Sequence, residues 1–299
     1  MGDFAIDTTI EPTGEARYRA ALCPDWEIWG PVGGYVAAIA MRAVGAEASL
    51  ARPASFFCHY LRATRFDPID LRVTPIRRGR SAESLRVQVA QGEREVMDAT
   101  VCVVAEGEGL EHEVTSCPDV PAPDELESLA AHIENGVVAP PTTPFWDNFD
   151  ARPIDRGQDW PPTEPNDPIW HEWLRFVPTS TFDDPWLDAA RYVLLCDLPL
   201  WPSTTPQHAW KWGDQPSGWT APTLDLYVAF HRPVPREPWL LVDGYAPIAA
   251  HGLLGWTGRL WSSTGQLVAS STGQGIFRRV PTHQTGDRDI DRPESGRKP

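Results

Sequence analysis

The sequence predicts an α+β protein made of two halves with the same plan. Three observations carry this. Two segments have helical apolar spacing, one opened by Gly33-Gly34-Tyr35 and one by Asp184-Pro185. Each is followed by strand-like runs punctuated by glycine. A stretch rich in Pro, Glu and Asp separates the two sets. A helix followed by consecutive antiparallel strands, twice over, describes two α+β units side by side.

In the first half, the helix presents Val36, Ile39, Ala40 and Val44 on one face. Its run Val36-Ala37-Ala38-Ile39-Ala40-Met41 is apolar enough to be wrapped by a sheet. Strand patterns follow at 55–61, which is rich in aromatics, and at 71–76. Leu85, Val87 and Val89 then alternate with polar residues, and 96–105 is nearly all apolar after Asp98. Gly79, Gly92 and Glu106-Gly107-Glu108-Gly109 punctuate them.

The second half repeats the order. Asp184 is a plausible N-cap with Pro185 at the first helical position. After the helix comes a long loop rich in Trp and Pro, 203–219. Leu224, Leu226, Val228 and Phe230 alternate strictly, and strands at 239–245, 253–261 and 267–277 complete the set. Gly265 marks a hairpin turn, as Gly92 does in the first half. The expected organisation is an N-terminal unit at 1–110, a connector at 111–144, a C-terminal unit at 145–279 and a disordered tail at 280–299. A short helix is expected around 124–135.

Composition narrows the function. The 299 residues are 41% apolar and 22% charged, ordinary for a globular protein. A net charge of -15 argues against nucleic acid and anionic membrane surfaces as partners. A small anionic ligand needs only a local basic site, and Arg62, Arg77, Arg78 and Arg80 either supply one or are solvated strand ends. The five cysteines include no CxxC pair, so neither a zinc site nor a redox motif is indicated, and reduced thiols in the cytoplasm fit best. The N-terminus has neither the basic nor the apolar region of a secretory signal, and no apolar run is long enough to span a bilayer. Fourteen tryptophans are unusual. Those at 146, 160, 170, 201, 210, 212 and 219 either pack loops onto the body or wall a site for an apolar ligand.

The chemically informative residue is Asp197. Leu187, Ala190 and Leu194 form an apolar helical stripe whose next member is this carboxylate. It also falls at the helix end, just before Pro199, where the macrodipole disfavours negative charge. Either the last turn frays and Asp197 is solvated, or it is buried and its pKa raised into the range of a useful base. No GxSxG, HExxH or complete dinucleotide fingerprint competes with it.

Over residues 4–279 the chain resembles the acyl-CoA thioesterase II family, the double hotdog thioesterases. The resemblance rests on Gly33-Gly34-Tyr35, His59-Tyr60-Leu61-Arg62 and Arg78-Gly79-Arg80-Ser81 in the first half. In the second it rests on Leu195-Cys196-Asp197, on Pro222-Thr223-Leu224-Asp225 leading to Phe230-His231-Arg232-Pro233, and on Gly265-Gln266-Leu267-Val268-Ala269-Ser270 leading to Gln274-Gly275. It implies two long helices, each wrapped by an antiparallel sheet. It also implies hydrolysis of acyl-CoA to free acid and CoA, part of lipid metabolism, with no cofactor or metal. Asp197, Thr223 and Gln274 would hold and activate the water, with Gly273 as a local departure before the amide. Backbone N–H groups at the Gly33-Gly34-Tyr35 helix start would bind the carbonyl oxygen. His59 and His231 are read as structural. The partner expected is acyl-CoA, with neither nucleic acid nor membrane, in a homo-oligomer. The other readings are a non-catalytic acyl-CoA or acyl-chain binding protein and a hotdog hydratase that would need a catalytic histidine.

Overall fold

The apolar run after Gly33 becomes a helix buried on nearly every side, and the rest of the molecule is arranged around it. In the computed structural model, residues 1–154, 162–208 and 219–279 are described. The expected tail 280–299 lies outside them, as do Trp160, Trp210 and Trp212. The first half contains α1 (Phe4–Asp7), β1 (Glu11–Gly14), β2 (Arg17–Ala20), α2 (Gly33–Glu47), β3 (Arg52–Tyr60), β4 (Ile69–Arg77), β5 (Ala82–Gln91) and β6 (Arg94–Val104). A short helix α3 (Leu129–Glu134) follows. The second half contains β7 (Phe149–Pro153), β8 (Ile169–Phe176), α4 (Pro185–Cys196), α5 (Leu200–His208), β9 (Trp219–Thr220), β10 (Thr223–Phe230), β11 (Leu240–Ala250), β12 (Leu253–Ser262), β13 (Leu267–Ile276) and β14 (Arg278–Arg279).

Twelve strands form one sheet in the order β1-β2-β4-β5-β6-β3-β10-β13-β12-β11-β8-β7. The order is a palindrome of plan: β4-β5-β6-β3 in one half matches β11-β12-β13-β10 in the other. The halves join where β3 pairs with β10, antiparallel, with Phe57 opposite Tyr227 and His59 opposite Asp225. Gly92 and Gly265 turn the β5–β6 and β12–β13 hairpins at φ +60 and +78, a backbone that glycine adopts without strain.

The helices lie inside this curved sheet. From Tyr35 to Met41 no α2 residue is more than 1% exposed. α4 is buried from Leu187 to Cys196, Asp188 and Arg191 included. Arg191 is satisfied there by Asp188 and by the carbonyls of Ser180, Val234 and Glu237, as a buried charge must be. The two helices are antiparallel neighbours. Gly34 at the start of α2 faces Leu194 and Asp197 at the end of α4, while Gly45 near the end of α2 faces Trp186 at the start of α4. A side chain at either glycine would collide with the other helix.

Several elements differ from expectation. A strand pair precedes each long helix, β1–β2 before α2 and β7–β8 before α4, where no strands were expected. Part of the expected Trp/Pro loop is the helix α5, in spite of Pro202 and Pro206. The connector is exposed at 106–116, but Cys117, Val120 and Leu126 pack on Trp173, Trp239, Leu241 and Trp261. They cover a second small apolar cluster. Arg62 and Arg77–Arg80 stand at opposite ends of the sheet, because β3 and β4 run in opposite directions. They form no single basic site.

Candidate active site

α4 ends at Cys196, three residues before Pro199 would interrupt it. Asp197 is its C-cap, with its own N–H donated to the Leu194 carbonyl at 3.2 Å. Its side chain turns inward and is 8% exposed as a residue. The Gly34 N–H donates to Oδ2 at 2.7 Å. The other oxygen, Oδ1, is buried and has no hydrogen-bond partner. Burial drives the pKa up from 3.8 to about 7, with the nearby Thr223 hydroxyl and the Gly34 N–H pulling the other way. The carboxylate is therefore buried, not solvated, and burial holds its pKa well above the ordinary carboxylate range.

The antiparallel packing explains how a carboxylate tolerates the end of α4. The same place is the start of α2, whose free N–H groups and positive dipole end favour an anion. Thr223 opens β10 opposite Gly275 of β13, and an irregularity in register between Thr223 and Asp225 marks this corner of the sheet. The structure thus brings Asp197, Thr223 and the α2 start together, one from each of three distant segments.

Gln274 is a correction. Along β13 the residues Ser271, Gly273 and Gly275 are buried, while Thr272 and Gln274 are exposed. Ser271 donates to the Cys196 carbonyl at 3.2 Å, and a side chain at Gly275 would collide with Leu200, so the odd-numbered face is the one toward the helices. Strand alternation then sends the Gln274 amide to the outer face, away from Asp197. Its backbone N–H is held by Asp225 at 3.2 Å. The inward position belongs to Gly273, where a side chain would meet the buried Trp256 indole.

The Gly33-Gly34-Tyr35 group also divides. The Gly34 N–H is taken by Asp197, and its α-carbon is closed off by Leu194, whose carbonyl oxygen would lie 2.8 Å from an added Cβ. Tyr35 points into the core, stacked on Trp26 at 5.4 Å and donating to the Asp7 carbonyl at 2.6 Å. Gly33 is the member that faces the site. An added Cβ there would stand 3.0 Å from Asp197 Oδ2 and 3.0 Å from the Tyr60 ring. Its N–H has no hydrogen-bond partner among the described residues.

Tyr60 escaped the sequence reading. It is the last residue of β3, and its hydroxyl is buried with no well-formed hydrogen bond, the Cys58 thiol being its one polar neighbour on the strand. The signal was available: Phe56 and Cys58 are the inward residues of this strand, so period-two alternation points Tyr60 inward too. The neighbouring Cys58 thiol is pushed well up by burial and then by Asp197, which keeps it protonated. His59 is exposed, and His231 bonds Ser270 at 2.9 Å. Both histidines remain outside the site.

Comparison with known proteins agrees with this architecture. Residues 22–104 match the acyl-CoA thioesterase N-terminal domain, and residues 114–277 match the acyl-CoA thioesterase C-terminal domain. Among solved structures, a hot-dog-fold protein from Alicyclobacillus acidocaldarius is 23% identical, with a TM-score of 0.77 over 93% of this chain and 98% of that one. The acyl-CoA thioesterase II TesB2 of Mycobacterium marinum is 21% identical, with a TM-score of 0.74 over 94% and 99%. The tesB protein of Mycobacterium avium subsp. paratuberculosis is 23% identical, with a TM-score of 0.71 over 92% and 98%. At these identities the likeness is one of fold, and the fold is a hotdog. The two domain matches go further: the chain belongs to the acyl-CoA thioesterase family.

Proposed function

We propose that the chain hydrolyses acyl-CoA thioesters to the free acid and CoA, with Asp197 as the base. The observation that carries this reading is the Asp197 carboxylate: buried, anchored by one oxygen to the start of α2, and with Oδ1 left unpaired. Oδ1 is placed to hold a water and accept its proton, and a base with a pKa of about 7 suits that task at neutral pH. Thr223 orients the same water from the start of β10. The Gly33 N–H meets the carbonyl oxygen.

For the acyl chain we propose a wall of Trp29, Trp201 and Phe277. Trp29 lies 5.4 Å from Trp201, which lies 6.0 Å from Phe277. The three stand on the segments next to Gly33, Asp197 and Gly275. No helix of the described residues is long and apolar enough to cross a membrane. The five cysteines are all free, which suits a reducing compartment, and the cytoplasm is the proposed location.

A non-catalytic acyl-CoA binding protein is the second reading, favoured by one observation, the outward course of Gln274. Thiol release from a panel of acyl-CoAs separates the two. Turnover supports hydrolysis, and saturable binding without thiol release supports the binding protein.

A further inference from the structure

Three polar groups converge on the Gly33 corner without a well-formed hydrogen bond, with the Thr223 hydroxyl near the first and the Cys58 thiol near the third. They are Oδ1 of Asp197, the Gly33 N–H and the Tyr60 hydroxyl. A buried hydroxyl with only a thiol, a weak acceptor, beside it costs stability, so its presence near a carboxylate calls for an explanation. We propose that the Tyr60 hydroxyl is a catalytic donor that binds the thioester carbonyl oxygen together with the Gly33 N–H. This rests on the thioesterase reading and completes a site from which Gln274 is missing.

The geometry supports the pairing. The Tyr60 ring and Asp197 Oδ2 both lie 3.0 Å from where a Gly33 Cβ would be, so they flank one small space at the α2 start. Lacking a side chain, Gly33 lets Tyr60 and Asp197 come this close to the α2 start and leaves its own N–H uncovered beside them. Tyr60 keeps its proton: burial and then the Asp197 charge hold its ionisation well above that of an ordinary phenol. A neutral phenol donates, and Asp197 accepts, so the two groups have complementary roles.

The step balances on these residues. A water oxygen bonds to the carbonyl carbon while its proton passes to Oδ1 of Asp197. The carbonyl π pair moves onto oxygen, where Tyr60 O–H and Gly33 N–H hold it. On collapse the C–S bond breaks, the electron pair leaves on the CoA sulfur, and the Asp197 proton goes to that thiolate. The products are the acid and the free thiol, and Asp197 is regenerated.

The test compares thiol release by the full chain and by its Tyr60→Phe variant, with kcat and KM measured from pH 5 to 9 and thermal midpoints recorded. Phenylalanine keeps the ring and removes only the hydroxyl, whose one polar neighbour on the strand is the Cys58 thiol. The expected result is a fall in kcat of about 10²-fold, the cost of losing one oxyanion donor. KM should stay within about threefold, the acid limb should be unchanged, and the thermal midpoint should be equal or higher. A kcat within about threefold of the parent overturns the proposal and leaves the thioesterase reading intact. A fall in activity that tracks a lowered thermal midpoint also overturns it, since it assigns Tyr60 a structural role. Absence of turnover by the parent protein on any acyl-CoA overturns both.

Discussion

Gly34 and Asp197 meet across two antiparallel helices, the amide nitrogen of one 2.7 Å from Oδ2 of the other. This contact resolves what looks wrong about Asp197 in the sequence. Its carboxylate ends α4, where the dipole is unfavourable, and at the same time begins α2, where it is favourable. The contact also ties the two halves together, backbone from the first meeting a side chain from the second.

The close helix approach predicts that Gly34 is needed for folding. A Cβ at this position would stand 2.8 Å from the Leu194 carbonyl oxygen and 3.0 Å from its Cα, both backbone atoms that cannot step aside. Gly34→Ala should therefore lower stability by about 1–3 kcal/mol, the usual cost of overpacking. The nearest atoms to a Gly33→Ala methyl are side-chain atoms of Asp197 and Tyr60 rather than backbone, so the variant should keep most of the stability and lose turnover. Chemical denaturation of both variants, with activity measured alongside, checks the contrast; equal denaturation midpoints would remove the argument.

Burial of Asp197 predicts a pH dependence of stability with an unusual sign. Its folded pKa of about 7 lies above the ordinary 3.8, so the folded state holds the proton more tightly than the unfolded chain. That contribution is fully present below pH 3.8 and is lost as pH rises through about 7. The difference is on the order of 4 kcal/mol. Asp197→Asn cannot ionise, so its stability relative to the parent should rise between pH 4 and pH 8. Denaturant titrations at several pH values measure this. A constant difference across that range would mean that Asp197 is solvated.

Gln274 and Thr223 should separate in mutagenesis. Gln274→Ala removes an outward amide and should leave turnover within about twofold, because surface substitutions are usually near neutral. Thr223→Ala removes a hydroxyl beside Asp197 and should lower kcat about tenfold or more by loosening the water. Steady-state kinetics of the two single variants decide. A large loss at Gln274 would restore it to the site.

Trp29 is half exposed and packs edge-on against Trp201. Trp29→Ala should shift the preferred acyl length with little change in the thermal midpoint. An unchanged substrate profile would place the acyl wall elsewhere.

Much of this arrangement was legible in the sequence, for identifiable reasons. α2 and the strands β3–β6 and β10–β13 carry apolar periodicities strong enough to read directly, and Asp197 stood out because it broke one. β1 was hidden because all four of its residues are exposed, so it has no alternation. β8 was obscured by Glu172, a buried polar residue on its inward face. α5 was hidden by Pro202 and Pro206, which argue locally for a loop and are outweighed by tertiary packing. Gln274 was misassigned by one residue, and with a side-chain period of two a single step crosses the sheet. Tyr60 was within reach of the same rule but had to be seen beside Gly33 to be noticed.

The most direct test of the central claim is the pH–rate profile of thiol release, measured for the parent protein and for Asp197→Asn with one well-turned-over acyl-CoA. The account predicts an acid limb for the parent with a midpoint near pH 7, where Asp197 loses its proton. It predicts that Asp197→Asn still binds acyl-CoA, loses about 10²-fold or more in kcat, and shows no such limb. An Asp197→Asn variant with parental kcat and the same limb would contradict the claim that Asp197 is the base.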